Sequence, residues 1–132
     1  MQSTINSIKA FIGIIGGFLG MFIGGFDSLV QALLIFVIAD YATGVVYACL
    51  CHKLSSEVGF KGIAKKVLIF VLVGIGHILD TQVIKSGTTI RTMVIFFYLA
   101  NEGISLLENV ANIGLPVPEK LKEVLEQLSE ED

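Results

Sequence analysis

The sequence predicts an all-helical integral membrane protein, and three observations support this. The stretch from Ser28 to Leu50 is an apolar run of about 23 residues, which reaches roughly 34 Å as a helix and crosses the ~30 Å hydrocarbon layer. Of the 132 residues, 54% are hydrophobic and 16% are charged, and the mean hydropathy is +0.81. The 14 glycines are typical of membrane helices, where close backbone approach replaces hydrophobic association. A water-soluble domain of this size is excluded.

Four apolar runs are candidate spans, and together they form a transmembrane domain predicted over residues 1–113. The fourth run is the most polar, so a three-span protein remains an alternative. Residues 114–132 are predicted to form an acidic, cytoplasmic tail with a short amphipathic helix after Pro118. This tail either contacts a neighbouring subunit or a regulator, or only solubilises the protein. The predicted spans are residues 10–26, 28–50, 67–84 and 90–113.

The segment Cys51–Lys66 is the most basic connection in the chain and is therefore predicted to be cytoplasmic. It is expected to form a short interfacial helix, capped by Ser55 or Ser56, before the third span. Its lysines Lys61, Lys65 and Lys66 are predicted to bind anionic lipid headgroups. With four spans, both termini lie on this same side.

Asp40 is the first candidate functional residue because it lies near the middle of the second span. A charged side chain there costs on the order of 2.5–3.5 kcal/mol, so it is expected to face protein, water or a partner. At helical spacing Asp40 shares a face with Thr43, Gly44 and Tyr47. This face is polar, and its side chains are small enough for another helix to approach closely. A packing contact with no transport role is the alternative.

Polar side chains on the third and fourth spans are further candidates for pore lining or helix contact. His77 and Asp80 share a face with Thr81, which is compatible with a proton relay, a pH-sensitive contact, a water-lining stripe or interhelical hydrogen bonding. On the fourth span a polar face is predicted to point inward. Its candidates are Asn101, Glu102, Ser105 and Glu108, and the stripe continues to Asn112.

The first span carries an overlapping series of glycines at intervals of four residues. Such a series leaves one helix face almost without side chains, so self-association is the natural use, and close packing within one subunit is the alternative. No cofactor, metal, nucleic acid or catalytic residue is predicted, and Cys49, Cys51 and His52 lack a second ligand pair. The glycines are Gly13, Gly16, Gly17, Gly20 and Gly24.

Several separated motifs follow one another along the chain, and they are Asp40-Tyr41-Ala42-Thr43-Gly44, Ser55-Ser56, Gly59, Gly62, Lys65-Lys66, Asn101-Glu102-Gly103-Ile104-Ser105-Leu106-Leu107-Glu108-Asn109 and Gly114-Leu115-Pro116-Val117-Pro118-Glu119-Lys120-Leu121. In this order they resemble the phage holin family that includes the toxin-secretion holins of clostridia. The similarity covers about residues 28–128, nearly the whole chain.

This resemblance implies a phage or prophage lysis protein of a Gram-positive host. Such a protein accumulates in the cytoplasmic membrane, forms homo-oligomers and opens a large non-specific lesion for an endolysin or a toxin, without necessarily contacting that cargo. Members of the family are often drawn with three spans, and the family supplies no catalytic residues. A small oligomeric ion channel or proton-coupled transporter that uses Asp40 and His77 is the alternative function.

Overall fold

The computed structural model describes residues 1–130, and within that range all regular structure is helical. The first four helices are long and apolar enough to cross a membrane, which confirms the predicted all-helical membrane fold. The helices are α1 (Gln2–Phe22), α2 (Ser28–Leu50), α3 (Ser56–Ile78), α4 (Thr89–Ile113) and α5 (Glu119–Glu130).

Helices α2, α3 and α4 form the core of the molecule. Apolar side chains from all three meet in one cluster, and Val30, Leu33, Val73 and Ile95 in it are fully enclosed. Since neighbouring side chains on one helix face recur every three or four residues, each helix contributes one stripe to this core and leaves its other faces for lipid. We call the end of the bundle with residues 51–55 the basic end, and the end with residues 23–27 and 84–88 the turn end.

Helix α1 lies outside this core and buries none of its residues. Its last turn is attached to α3 through the ring of Phe22, which fills the space left by the missing side chain of Gly74. The helix then ends at Ile23 because Gly24 and Gly25 adopt φ values of +85° and +101°, which favour glycine. Helix α1 begins at residue 2, well before the predicted start of the span at residue 10.

Helix α3 is longer than expected. Ser55 caps it as predicted, by accepting a hydrogen bond of 3.1 Å from the backbone N–H of Val58. However, the expected separate interfacial helix is not formed: the helix runs without a break from Ser56 to Ile78 and ends in a π-helical turn, Leu79–Val83. Gly59 and Gly62 do not interrupt it because the Tyr41 side chain of α2 packs against both of them.

Helix α5 folds back along α4 after the turn at residues 114–118. Its side chain Leu125 is buried against Gly103, which lies ten residues before the end of α4, together with Phe36 of α2. The acidic helix is therefore part of the folded bundle, and the side chains on its outer face are exposed.

Candidate functional site

The central polar site joins three helices through one lysine. The ammonium of Lys66 on α3 lies 2.7 Å from Oδ2 of Asp40 on α2 and 2.8 Å from Oε2 of Glu102 on α4. All three side chains are largely buried, with exposed fractions of 17% for Lys66, 8% for Asp40 and 9% for Glu102. We call these residues the central triad. With two carboxylates and one ammonium, the triad has one more negative than positive group.

Asn109 on α4 completes the hydrogen bonding of Asp40. Its amide Nδ2 donates to Oδ1 of Asp40 at 2.9 Å, to the backbone oxygen of Asp40 at 3.1 Å and to Oγ1 of Thr43 at 3.0 Å. Thr43 itself donates to the backbone oxygen of Ala39 at 2.8 Å. The Asn109 amide also packs against Gly44, where a Cβ would lie at an ordinary van der Waals distance of 3.6 Å from its nitrogen. Asn109 thus joins α4 by hydrogen bonds to about one turn of α2.

A cavity of about 260 Å³ lies beside the triad and extends towards the basic end of the bundle. Its lining includes polar groups of Asp40, Lys66, Ser105 and Asn109 and apolar side chains such as Leu54. A space of this size with several polar partners is suited to hold water. The triad is therefore buried from lipid but lies next to a volume that can be hydrated.

The depth of the triad makes it costly to expose to lipid. Asp40 lies twelve residues after the first residue of α2 and ten before the last, so it is roughly 15–18 Å from either helix end. Each charged group at such a depth costs on the order of 2.5–3.5 kcal/mol against hydrocarbon. The mutual ion pairs make this cost tolerable only while the three helices stay together.

A second polar cluster lies at the turn end and is centred on Arg91 of α4, which is 3% exposed. Its guanidinium donates to the backbone oxygens of Ile23 and Gly25, and its Nη1 lies 2.7 Å from Oδ2 of Asp27. Asp27 also caps α2 by accepting from the backbone N–H of Val30. Hydrogen bonding to the Arg91 guanidinium holds the pKa of the Asp27 carboxyl below its usual value.

Asp80 fixes the start of α4 in the same cluster. Its fully buried carboxylate accepts hydrogen bonds from the backbone N–H groups of Ile90 and Arg91, at 2.9 and 2.8 Å, and from Oγ of Ser86 at 2.6 Å. The free N–H groups at a helix start favour a negative charge. Asp80 therefore caps α4 from another helix, and the residue next to this cap is Arg91. We call Asp27, Asp80 and Arg91 the turn-end cluster.

The structure places the predicted Asp40 face against α4, where Asp40, Thr43 and Gly44 all contact Asn109. Tyr47 makes none of these contacts and is half-buried nearer the basic end. Lys66 was expected at lipid headgroups, but its ammonium points inward to two carboxylates. Lys61 and Lys65 are exposed. Periodicity alone did not separate Lys66 from Lys65, although Lys66 is the residue whose helix face also includes Ile69 and Val73 of the core.

The inward face of α4 differs from the predicted stripe. Glu102 and Ser105 face the site, but Asn101 and Glu108 are exposed, and Asn109 takes part instead. Residues 102, 105 and 109 repeat at intervals of three and four, as residues 101, 105 and 108 do. The sequence pattern therefore fits both sets, and the burial of Leu99 and Gly103 decides between them.

The His77–Asp80 face is divided between two structural roles. Asp80 caps α4, as described above, and the His77 ring lies against Gly24 in the α1–α2 turn. Thr81 is exposed and donates only to the backbone oxygen of His77, at 2.9 Å. The sequence analysis missed Arg91, whose signal was a lone arginine at the start of an apolar run.

The glycine series of α1 is open over most of its length. Apart from the neighbouring residues and backbone of the same helix, no heavy atom of residues 1–130 lies within 4 Å of the position that a Cβ would occupy on Gly13, Gly16 or Gly17, and on Gly20 the nearest is in the Phe26 ring at 3.8 Å. Gly24 does not belong to this face because it lies in the turn beyond the end of α1, with a positive φ and close contacts to His77 and Arg91.

Four helices that are apolar and long enough to cross a membrane, three of them packed around ion pairs buried at mid-depth, define a multi-pass membrane protein. The chain belongs to the bacteriophage holin family, whose sequence pattern matches residues 17–130.

Similar proteins occur in species of Clostridium, Listeria and Bacillus. An "Uncharacterized 14.9 kDa protein in nagH 3'region" of Clostridium perfringens is 42% identical over 98% of both chains. An uncharacterized protein of Listeria innocua is 47% identical over 86% of this chain and 82% of its own length. A more distant uncharacterized protein of Bacillus subtilis is 28% identical over 92% of this chain and 90% of its own. No solved structure matches this chain.

Proposed function

We propose that this protein is a holin that oligomerises in the bacterial cytoplasmic membrane and opens a large, non-specific lesion for an endolysin or a toxin. Membership of the bacteriophage holin family supports the class. The observation that carries the proposal is the central triad, a set of charged groups at mid-depth that is stable only in the packed bundle. The function requires no catalytic residue or cofactor.

In this mechanism the closed state is the bundle described above. The triad and Asn109 hold α2, α3 and α4 together next to a cavity that can take up water. When enough subunits assemble, the helices separate at the triad and turn its polar groups towards water in the lesion. The turn-end cluster keeps the same helices joined. A cooperative change between two packings gives a delay followed by sudden opening.

The open glycine face of α1 is the proposed contact between subunits. Helix α1 buries no residue in its own chain, and its glycines face no intrachain neighbour over Gly13–Gly17. In a membrane, faces of this kind associate by close backbone packing. A Gly16→Leu substitution is therefore expected to change the time of opening, whereas Ile15→Leu on the same helix leaves it unchanged.

The test is induced expression in bacteria that also contain a cytosolic endolysin without a signal peptide. Membrane potential and culture turbidity are followed together. The holin proposal predicts an abrupt, delayed and simultaneous fall of both, because folded endolysin must pass through the lesion. A gradual loss of potential without lysis contradicts it and supports the second candidate.

That second candidate is a small ion channel or proton-coupled transporter. The cavity lined by Asp40 and Lys66 favours it, because an ionisable group at mid-depth beside a space that can be hydrated is typical of ion and proton pathways. The endolysin assay separates the two, since a channel passes ions but no folded protein.

A further inference from the structure

An amphipathic groove runs between α4 and α5 near the basic end of the bundle. Its volume is about 470 Å³, and its floor is apolar, formed by Ile104, Leu107 and Val117. Three carboxylates lie on its rim beside one ammonium, which gives the rim a net charge of −2. The rim residues are Glu108, Glu119, Lys122 and Glu126.

A surface with complementary properties lies at the start of α3 in the same chain. Phe60 is 75% exposed there, and Lys61 and Lys65 lie one above the other on the adjoining face of the helix. Lys53 precedes the helix and Glu57 lies on the same face, so this basic patch has a net charge of +2. Within residues 1–130, none of these charged groups, nor any on the groove rim, lies within 4.0 Å of an opposite charge.

The groove and the basic patch do not meet within the described part of the chain. Helix α5 packs on α4, and among residues 1–130 it makes no contact with α3. Both surfaces are close to the basic end, because α3 begins there and the α4–α5 turn lies there. Two copies with the same orientation in one membrane can therefore bring one groove and one patch together at the same level.

We infer that the α4–α5 groove binds the basic patch of a second copy of this chain. Phe60 of that copy occupies the apolar floor, while its lysines meet the rim carboxylates. Such an interface joins two different surfaces, so each subunit keeps a free groove and a free patch for further copies. The assembly grows until it closes or forms an array, which deepens the proposed holin function by supplying many subunits around one lesion.

The experiment is disulfide crosslinking between two differently tagged full-length copies in native membranes. Both copies carry Cys49→Ser and Cys51→Ser, since the two natural cysteines are exposed. One copy then has Lys61→Cys in the patch and the other has Lys122→Cys in the groove. The matched control pairs Lys61→Cys with Val46→Cys, a position that is 49% exposed on α2 and outside the groove.

We expect the patch–groove pair to give severalfold more mixed dimer than the control pair. Adding Glu108→Lys and Glu126→Lys to the groove copy should remove most of this excess, and Lys53→Glu with Lys65→Glu in the patch copy should restore it. Equal crosslinking of test and control pairs overturns the inference, whether the lysines instead bind lipid headgroups or nothing at all. If neither set of charge reversals changes the yield of mixed dimer, the inference is overturned as well.

This experiment is independent of the endolysin assay. Lysis without specific crosslinking removes this interface and leaves the holin proposal intact. Specific crosslinking without lysis keeps the interface and removes the holin proposal.

Discussion

The central triad and the turn-end cluster both join the same helices, but they do so with different partners. In the triad, charged side chains from α2, α3 and α4 contact one another beside a cavity. In the turn-end cluster, Arg91 and Asp80 bind mainly backbone groups of helix ends and turns. About 13 residues of α2 separate Asp27 from Asp40, so the two levels are roughly 20 Å apart.

This difference indicates a division of roles. Backbone groups at helix ends are present in any packing of these helices, so the turn-end cluster fixes where each helix begins. Side-chain ion pairs depend on the relative position of three helices and are lost when these separate. The triad is therefore the part of the bundle suited to change, and the turn-end cluster is the part suited to remain.

The largest effect is expected from Arg91→Met. The substitution leaves the carbonyls of Ile23 and Gly25 without their donor, at about 1–3 kcal/mol for each, and the loss of the pair with half-exposed Asp27 adds less than about 1 kcal/mol. We expect a large fall in the thermal unfolding temperature of the detergent-solubilised protein and in its level in membranes. Arg91→Lys should recover only part of the loss because one ammonium cannot reach three directions. A wild-type unfolding temperature for Arg91→Met contradicts the anchoring role.

The next effect is expected from Lys66→Met, which leaves two carboxylates facing each other in the bundle. Breaking a buried ion pair costs about 3–5 kcal/mol, but Lys66 is more exposed than Arg91, so the lower part of this range is expected. The substitution therefore weakens the closed packing of the helices, and the membrane potential should collapse earlier than in the wild type.

Two controls sharpen this prediction. The combined variant Asp40→Asn, Lys66→Met and Glu102→Gln removes the repulsion and should return the opening time towards the wild type. Lys120→Met removes an exposed lysine that belongs neither to the triad nor to the basic patch, and it should leave the opening time unchanged. If Lys120→Met and Lys66→Met act alike, the effect is a general one of losing a lysine and not one of the triad.

A smaller effect is expected from Asn109→Ala. It leaves Oδ1 of Asp40 without its amide donor, at about 1–3 kcal/mol for an unpaired buried acceptor. Opening should come earlier than in the wild type but later than in Lys66→Met. Asn112→Ala, which alters an exposed amide on the same helix, is the matched control for the timing measurement. Equal timing in both alanine variants argues against the role of Asn109.

The smallest effect concerns pH at the turn end. Because the folded pKa of Asp27 lies below its ordinary value of 3.8, its ion pair stabilises the fold above that pH and loses this contribution as pH falls through the folded pKa. The side chain is 47% exposed, so less than about 1 kcal/mol is at stake. When unfolding of the solubilised protein is measured between pH 6 and about pH 2.5, the stability of Asp27→Asn should fall less steeply with acid than that of the wild type. Identical profiles of stability against pH for the two proteins would show that the Asp27–Arg91 ion pair does not contribute to stability.

The membrane-spanning character and the importance of Asp40 follow from hydropathy and from the cost of a charge at mid-depth. The partners of Asp40 cannot be predicted from the sequence in the same way. Helical spacing allows two inward-facing sets on α4 equally well, namely residues 101, 105 and 108 or residues 102, 105 and 109. Only the packed core of the bundle selects the second set. In the same way, four lysines after α2 satisfy the charge rule for a cytoplasmic loop, while the continuous helix α3 turns Lys66 alone towards two carboxylates.

Arg91 and the packing of α5 were beyond sequence reasoning for a different reason. Arg91 binds carbonyls of Ile23 and Gly25, and backbone carbonyls are the same in every sequence. Leu125 packs on Gly103, a contact that depends on the direction of the turn at residues 114–118.

The most direct test of the division of roles is the reactivity of single cysteines in the two regions. In a Cys49→Ser, Cys51→Ser background, Ser105→Cys reports on the triad cavity and Val94→Cys on the core near the turn end. A charged, membrane-impermeant maleimide is added to inside-out vesicles prepared just before and just after the potential collapses. We predict that Ser105→Cys becomes markedly more reactive on opening while Val94→Cys does not change. Equal changes at both positions, or none at Ser105→Cys, would contradict the account.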